Sequence, residues 1–191
     1  MEERTDEYFI QKALAGDIQS FTILIDRYKD LVYTLSLRLV KNREEAEELS
    51  QDVFLKVHRS LSQFRGASKF STWLYRIVYT TGINRIKKNA REPLMIDLDS
   101  VGESQFRMVH DALHELTRKE NQEIVRNCLL KLPEKDQYIL TLYYFEELSL
   151  KEMVEILSIN LNNVKVRLFR SRKKLFALLH KALVWDKSIV L

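Results

Sequence analysis

Cysteine occurs once in the 191 residues, at Cys128, which excludes an internal disulfide framework and a four-cysteine zinc site and suits a reducing compartment. Glycine and proline are nearly as scarce, with four and two residues. The chain is instead rich in Leu, Lys, Glu and Arg, helical spacing recurs throughout and strand-like alternation is missing, so nearly all of it is predicted to be helix. No stretch reaches the roughly 20 apolar residues of a membrane span, and the N-terminus MEERTDEYF is acidic where a signal peptide begins basic and turns apolar. A soluble, cytoplasmic protein with no membrane insertion is expected. Enzyme signatures are missing as well: there is no HExxH, glycine-rich phosphate loop, nucleophile elbow or cysteine cluster. His110, Asp111, His114 and Glu115 have the spacing to offer two imidazoles from one helix face, but no further ligands accompany them. The expectation is a non-enzyme with no cofactor and no metal.

What is present is charge, modest in sum at +4 and strongly sorted. Glu44, Glu45, Glu47, Glu48 and Asp52 fall in one short run without a cation, and Arg59 to Arg91 holds eight Lys and Arg with no Asp or Glu. Acids dominate again from Glu92 to Glu123, and Ile156 to Trp185 carries seven cations and no carboxylate. Solvated helix faces usually mix both signs, whereas two separate basic blocks are built to meet a polyanion twice.

Local signals divide the chain into helices. Asp6 is a candidate cap for a first short helix ending at Gly16, and Asp17 for a second whose stripe is Phe21, Leu24, Ile25, Tyr28, Leu31, Val32, Leu35 and Leu39. Asn42 and Glu45 form a capping-box pattern for a third helix with Ala46, Leu49, Val53, Val57 and Leu61 inside and acids outside. Phe64 to Ser68 reads as a loop, after which Ser71 is placed to cap a fourth helix. Pro93, Gly102 and weak periodicity mark a linker. Beyond it, Ile124, Cys128 and Leu132 share a face, Cys128 being a small core residue, and Pro133 starts the next helix. Ser149 and Glu152 make a second capping box, a turn follows at Ser158 to Asn160, and a long helix runs from Leu161 towards Ala182.

The last two helices have the arrangement of a helix-turn-helix. On a helical wheel Leu161, Val164, Leu168, Leu175 and Leu179 face inward, with Ser171 between them, towards Met153 and Leu157. The other arc carries Asn162, Asn163, Lys165, Val166, Phe169, Arg170 and Lys173, with Arg167 and Lys174 on its shoulder. Amides and guanidinium groups can read base edges bidentately in a major groove, and lysines anchor phosphates. Asn162, Asn163, Val166 and Arg170 are placed to face bases, and Arg172, Lys173 and Lys174 to touch backbone.

The stretch FRGASKFSTWLYRIVYT interleaves Phe64, Phe70, Trp73, Tyr75 and Tyr79 with Arg65, Lys69 and Arg76. Rings beside cations suit unstacked bases. Aromatics at helical spacing are equally at home in a core, and composition does not separate the two readings.

EEAEELSQDVFLKVHRSLSQFRGASKFSTWLYRI resembles the second conserved region of bacterial sigma factors of the extracytoplasmic-function (ECF) group, and LPEKDQYILTLYYFEELSLKEMVEILSINLNNVKVRLFRSRKKL resembles their fourth. The resemblance implies an all-α chain of two small helical domains, residues 1–91 and 122–191, joined by an acidic linker over 92–121, the second domain containing the helix-turn-helix. It implies an alternative sigma factor that binds core RNA polymerase and directs promoter-specific initiation and DNA melting. Glu48, Leu49, Gln51 and Asp52 would dock on the clamp helices of the largest subunit, with the flap of the second-largest subunit as a further contact. Phe64, Arg65, Lys69, Phe70, Ser71, Thr72, Trp73, Arg76, Asn84 and Arg85 would engage the minus-ten element of promoter DNA. Asn162, Asn163, Lys165, Val166, Arg167, Arg170, Lys173 and Lys174 would read the minus-thirty-five element. An anti-sigma factor is an expected partner. The chain departs from the family pattern at Val154, usually Ala, at Ser158, usually a turn Gly, at Val166, commonly Ser, and at His58, frequently Trp. The competing reading is a stand-alone helix-turn-helix regulator that needs no polymerase.

Overall fold

The computed structural model describes residues 4–89 and 122–187, excepting the side chains of 89, 122 and 183–187. These residues hold eight α-helices, one 3-10 turn and no strand, as the scarcity of glycine and proline predicts. They fall into two compact units, the first built on residues 4–89 and the second on 122–154 and 158–187. The expected linker at 92–121, with His110, Asp111, His114 and Glu115, lies outside the described residues.

In the first unit, α1 (Asp6–Leu14) begins one residue earlier than Asp6 as a cap would require: Thr5 is the N-cap and makes no side-chain bond. Asp6 instead turns to α2 (Ile18–Val40), where it accepts a hydrogen bond from Arg27 at 2.5 Å and another from the Tyr28 hydroxyl. Burial, reinforced by the bond to Asp6, pushes the Tyr28 phenol well above its ordinary range. The short connection to α2 is possible because Gly16 takes a left-handed φ of 94°. Asp17 caps α2 as expected, accepting from the Gln19 N–H at 3.1 Å and the Ser20 hydroxyl at 2.7 Å. Asn42 likewise opens α3 (Arg43–Ser60) by accepting from Glu45 N–H at 3.0 Å.

The core between α2 and α3 is formed by Leu24, Val32, Leu35, Leu39, Ala46, Leu49, Val53 and Val57. After the 3-10 turn Leu61–Gln63, α4 (Phe70–Asn89) adds Leu74, Val78 and Ile83. Each buried large aliphatic contributes about 1.5–3 kcal/mol relative to exposure. Gly82 is what lets α4 approach: a methyl group there would meet Leu39 Cδ1 at 2.6 Å and Leu49 Cδ2 at 3.3 Å. Ser71 does not precede α4 as a cap, because the helix starts at Phe70.

The second unit packs α5 (Gln122–Leu130), α6 (Glu134–Tyr144), α7 (Leu150–Leu157) and α8 (Leu161–Lys187) around Val125, Cys128, Leu132, Leu140, Met153, Leu168 and Leu175. Cys128 is a core residue, its thiol pushed up by burial. Ser149 and Glu152 close a full capping box at α7. That helix ends on Ser158 in the left-handed region, at φ 53° and ψ 42°. Asn160 then accepts from the Asn163 N–H at 2.8 Å at the start of α8. The wheel placed Leu161 inward, yet it is exposed, lying in the first turn ahead of the packed stretch.

Candidate nucleic-acid interface

The basic face of the first unit is set by the register of α4. Trp73, Arg76, Thr80, Asn84 and Lys87 recur at three- and four-residue intervals, hence on one side of the helix. Arg76, Thr80, Asn84 and Lys87 are exposed, Trp73 is half-buried, and no carboxylate occurs in this stretch of sequence. Arg65 and Lys69, both exposed, stand in the loop that leads into it, where Gly66 adopts a φ of 69°. Thr80 escaped the sequence reading although its register, four residues from both Arg76 and Asn84, was there to be read.

The aromatics of this block divide. Phe64, Phe70 and Trp73 form a cluster with ring centroids 5.4–5.7 Å apart, and Tyr28 joins it through Phe70 at 5.4 Å. Phe70, Tyr75 and Tyr79 are buried. The rings that reach the surface are the half-buried Phe64 and Trp73. The expected assignment of Phe70 and Thr72 to direct base contact is therefore corrected: both are core residues, at 3% and 2% exposure, and they support the face instead of forming it. Ser71 is half-buried.

The four residues expected to dock on polymerase point in three directions. Leu49 is fully buried against Gly82 and is not available to a partner. Gln51 borders a groove between α2 and α3 lined by Phe21, Ile25, Tyr33, Phe54 and Leu55. Glu48 and Asp52 turn towards α4, where both pair with Arg85, Asp52 at 3.5 Å. Arg85 is thus held by two of the carboxylates assigned to docking, a link that the linear sequence gave no means to anticipate. At the far end of the groove His58 packs edge-on to Phe21 at 5.0 Å.

On α8, Asn162 and Lys173 are exposed, and Asn163, Lys165, Val166, Arg167 and Arg170 are partly exposed. Phe169 and Arg172 are corrected. The wheel placed Phe169 on the DNA arc, but the helix packs on both flanks and buries it to 7%. Arg172, expected to touch the DNA backbone, is fully buried, its guanidinium 4.7 Å from the centre of the Tyr143 ring and 5.3 Å from that of Tyr144. An arginine stem and plane stacked on aromatic rings serves packing as well as charge. Burial pushes the Tyr144 phenol up, and Arg172 offsets part of that shift. Lys174 is exposed but is paired with Asp136 of α6 at 2.6 Å.

Sigma-70 region 2 matches residues 24–92, and Sigma-70 region 4 matches residues 122–175. The ECF RNA polymerase sigma factor SigW of Bacillus subtilis is 33% identical over 173 residues, covering 87% of this chain and 92% of that one. The chain belongs to the ECF sigma factors. The ECF RNA polymerase sigma-E factor of Escherichia coli is 32% identical over 179 residues, covering 90% and 93% of the two chains. The fold of this ECF factor is similar to that of CnrH in its complex with the cytosolic domain of CnrY, with a TM-score of 0.63 at 22% identity over 92% of this chain and 97% of that one. It is also similar to RpoE from Bartonella quintana, solved with the anti-sigma factor NepR, with a TM-score of 0.60 at 18% identity over 85% and 98%. As an alternative sigma factor the chain directs transcription initiation. No helix among its described residues is long and apolar enough to cross a membrane. Of the residues at which this ECF factor departs from the family pattern, Val154 is half-buried, and Ser158 is exposed at a turn whose left-handed backbone explains why glycine is usual there.

Proposed function

We propose that the chain acts in the cytoplasm and does so by binding alone, leaving chemistry to core RNA polymerase. Residues 1–91 engage polymerase and the minus-ten element, 92–121 link, and 122–191 read the minus-thirty-five element. The groove between α2 and α3, with Gln51 at its edge, takes the clamp helices of the largest subunit, and the second unit meets the flap. Phe64 and Trp73 stack on bases of the strand that separates as the duplex melts, while Arg65, Lys69, Arg76 and Lys87 neutralise its phosphates. A flipped base costs a few kcal/mol to unstack, which such a ring surface offsets. Asn162, Asn163, Lys165, Val166, Arg167 and Arg170 enter the major groove of the upstream element. An anti-sigma factor holds the chain inactive, a partner of the kind with which RpoE of Bartonella quintana was solved.

The observation that carries this reading is the α4 face, one-signed from Lys69 to Lys87 with two half-buried rings at its start. A duplex reader that worked alone would have little use for it. The test is reconstitution: the purified chain with bacterial core polymerase is assayed for transcription from a random promoter library. Transcripts from a defined promoter class are expected only when both are present. Failure of the chain to co-elute with core would overturn the reading in favour of a stand-alone regulator.

A further inference from the structure

On α8, Arg167, Arg170 and Lys174 follow one another at three- and four-residue intervals and so form one row. The row ends differently from the way it begins. Lys174 Nζ lies 2.6 Å from Asp136 Oδ2, and Asp136 Oδ1 accepts from the Ser171 hydroxyl at 2.5 Å. Ser171 is fully buried and the Asp136 side chain is 16% exposed, whereas Lys174 is 54% exposed. The carboxylate is therefore fixed from one side by a buried hydroxyl and presents its other oxygen to the lysine. Lys173, one residue earlier, is exposed.

We propose that Asp136 is a specificity-determining residue of the helix-turn-helix: by holding Lys174 it withdraws the last cation of the row from DNA phosphates and so keeps sequence-independent binding low. The inference rests on the assignment of α8 to duplex DNA. Sequence-independent affinity follows the number of phosphates neutralised, and each contact steepens the dependence of log affinity on log salt by about 0.9. A cation already paired within the protein adds nothing to that slope. Specificity is the ratio of cognate to random binding, so restraining one lysine raises it without any new base contact.

The test uses the full chain and a random-sequence DNA duplex, with affinity followed by fluorescence anisotropy over a salt series. Asp136→Asn, whose amide oxygen can still accept from Ser171, is expected to bind roughly two- to fivefold tighter, with a slope steeper by about 0.9. Adding Lys174→Ala to it should cancel both gains, and Asp136→Glu should restore the original behaviour. In the otherwise unchanged chain, Lys174→Ala should leave the slope unaltered while Lys173→Ala lowers it, a comparison that stands even if Asp136→Asn folds poorly. A slope lowered by Lys174→Ala alone would overturn the inference. So would weaker binding by Asp136→Asn at constant slope, the mark of a purely structural role, or a gain that Lys174→Ala does not cancel, the mark of simple charge repulsion. If Lys165→Ala and Lys173→Ala also leave binding unchanged, the assignment of α8 to DNA fails and the inference fails with it.

Discussion

Each unit holds one of its cations with carboxylates from a neighbouring helix, but in different surroundings. Arg85 sits between Glu48 and Asp52, whose side chains are 67% and 56% exposed. Lys174 meets Asp136, at 16%, which a buried serine also holds. Exposed ion pairs contribute only about 0.2–1 kcal/mol and are screened by salt, so the Arg85 pairing is readily exchanged for another partner. A carboxylate fixed by a second hydrogen bond loses less entropy in pairing and stays aligned. The same chemistry is thus exchangeable in the first unit and lasting in the second. The contrast follows from which helix faces meet, since the acids of α3 lie on its outer side and Asp136 lies in the first turn of a helix packed against α8.

The comparison can be broken most severely at the groove. Gln51→Lys with Leu55→Asp should weaken capture of core polymerase at least about tenfold and leave the Arg85 pairings intact, as a pull-down and a melting curve would report. Undiminished capture would move the docking surface to Glu48 and Asp52. Reversal of Gln51 and Asp52 to lysine should abolish capture, though it also sets a cation against Arg85. Next in size is the division of the aromatics. Phe70→Ala should cost about 3–5 kcal/mol of stability. Trp73→Ala should spare most of that and instead reduce open-complex formation by the roughly 1–3 kcal/mol of one stacked base. Equal stability losses in the two variants would erase the distinction between core and surface rings.

A third pair of substitutions contrasts the backbones of the two units. Gly82→Ala should destabilise the first by about 1–3 kcal/mol through the contact with Leu39. Ser158→Gly should stabilise the second by up to about 1 kcal/mol by relieving a left-handed residue, both measured by denaturant titration. The smallest effect is a pH dependence. The bond from Ser20 lowers the Asp17 carboxyl below its ordinary 3.8. Its contribution is therefore present above that value and lost as pH falls through the lowered folded one. The stability gap between the natural chain and Asp17→Ala should accordingly narrow on acidification below about pH 4, and a gap that widened would reverse the sign.

Much of this architecture was legible because its signals are local. Asp17, Asn42 and the Ser149 and Glu152 box lie within four residues of the groups they bond, and the stripe of α2 is periodic. What sequence could not supply was contact between distant residues. Asp6 looked like a cap because nothing local announced Arg27 and Tyr28 across the α1–α2 turn. The periodicity of α3 placed Leu49 inside, against the docking role that the resemblance implied, but Gly82, which it packs against, stands thirty-three residues on. Phe169 and Arg172 were misplaced for a related reason: a wheel assumes one packed side, while α8 is packed on more than one. Gly82 itself carried a signal, being an isolated glycine within a helical pattern, which marks close approach.

The length of α4 has a geometric consequence of its own. Its 20 residues extend roughly 30 Å, close to the roughly 34–36 Å of one full turn of B-form duplex. The face from Trp73 to Lys87 covers only about 21 Å of that length, over which the groove of a closed duplex winds through more than half a revolution and turns away from the helix. A strand freed from its complement is under no such winding constraint and can run the whole face. On the proposed assignment of this face to DNA, the length of α4 thus sets how much unwound strand it can follow.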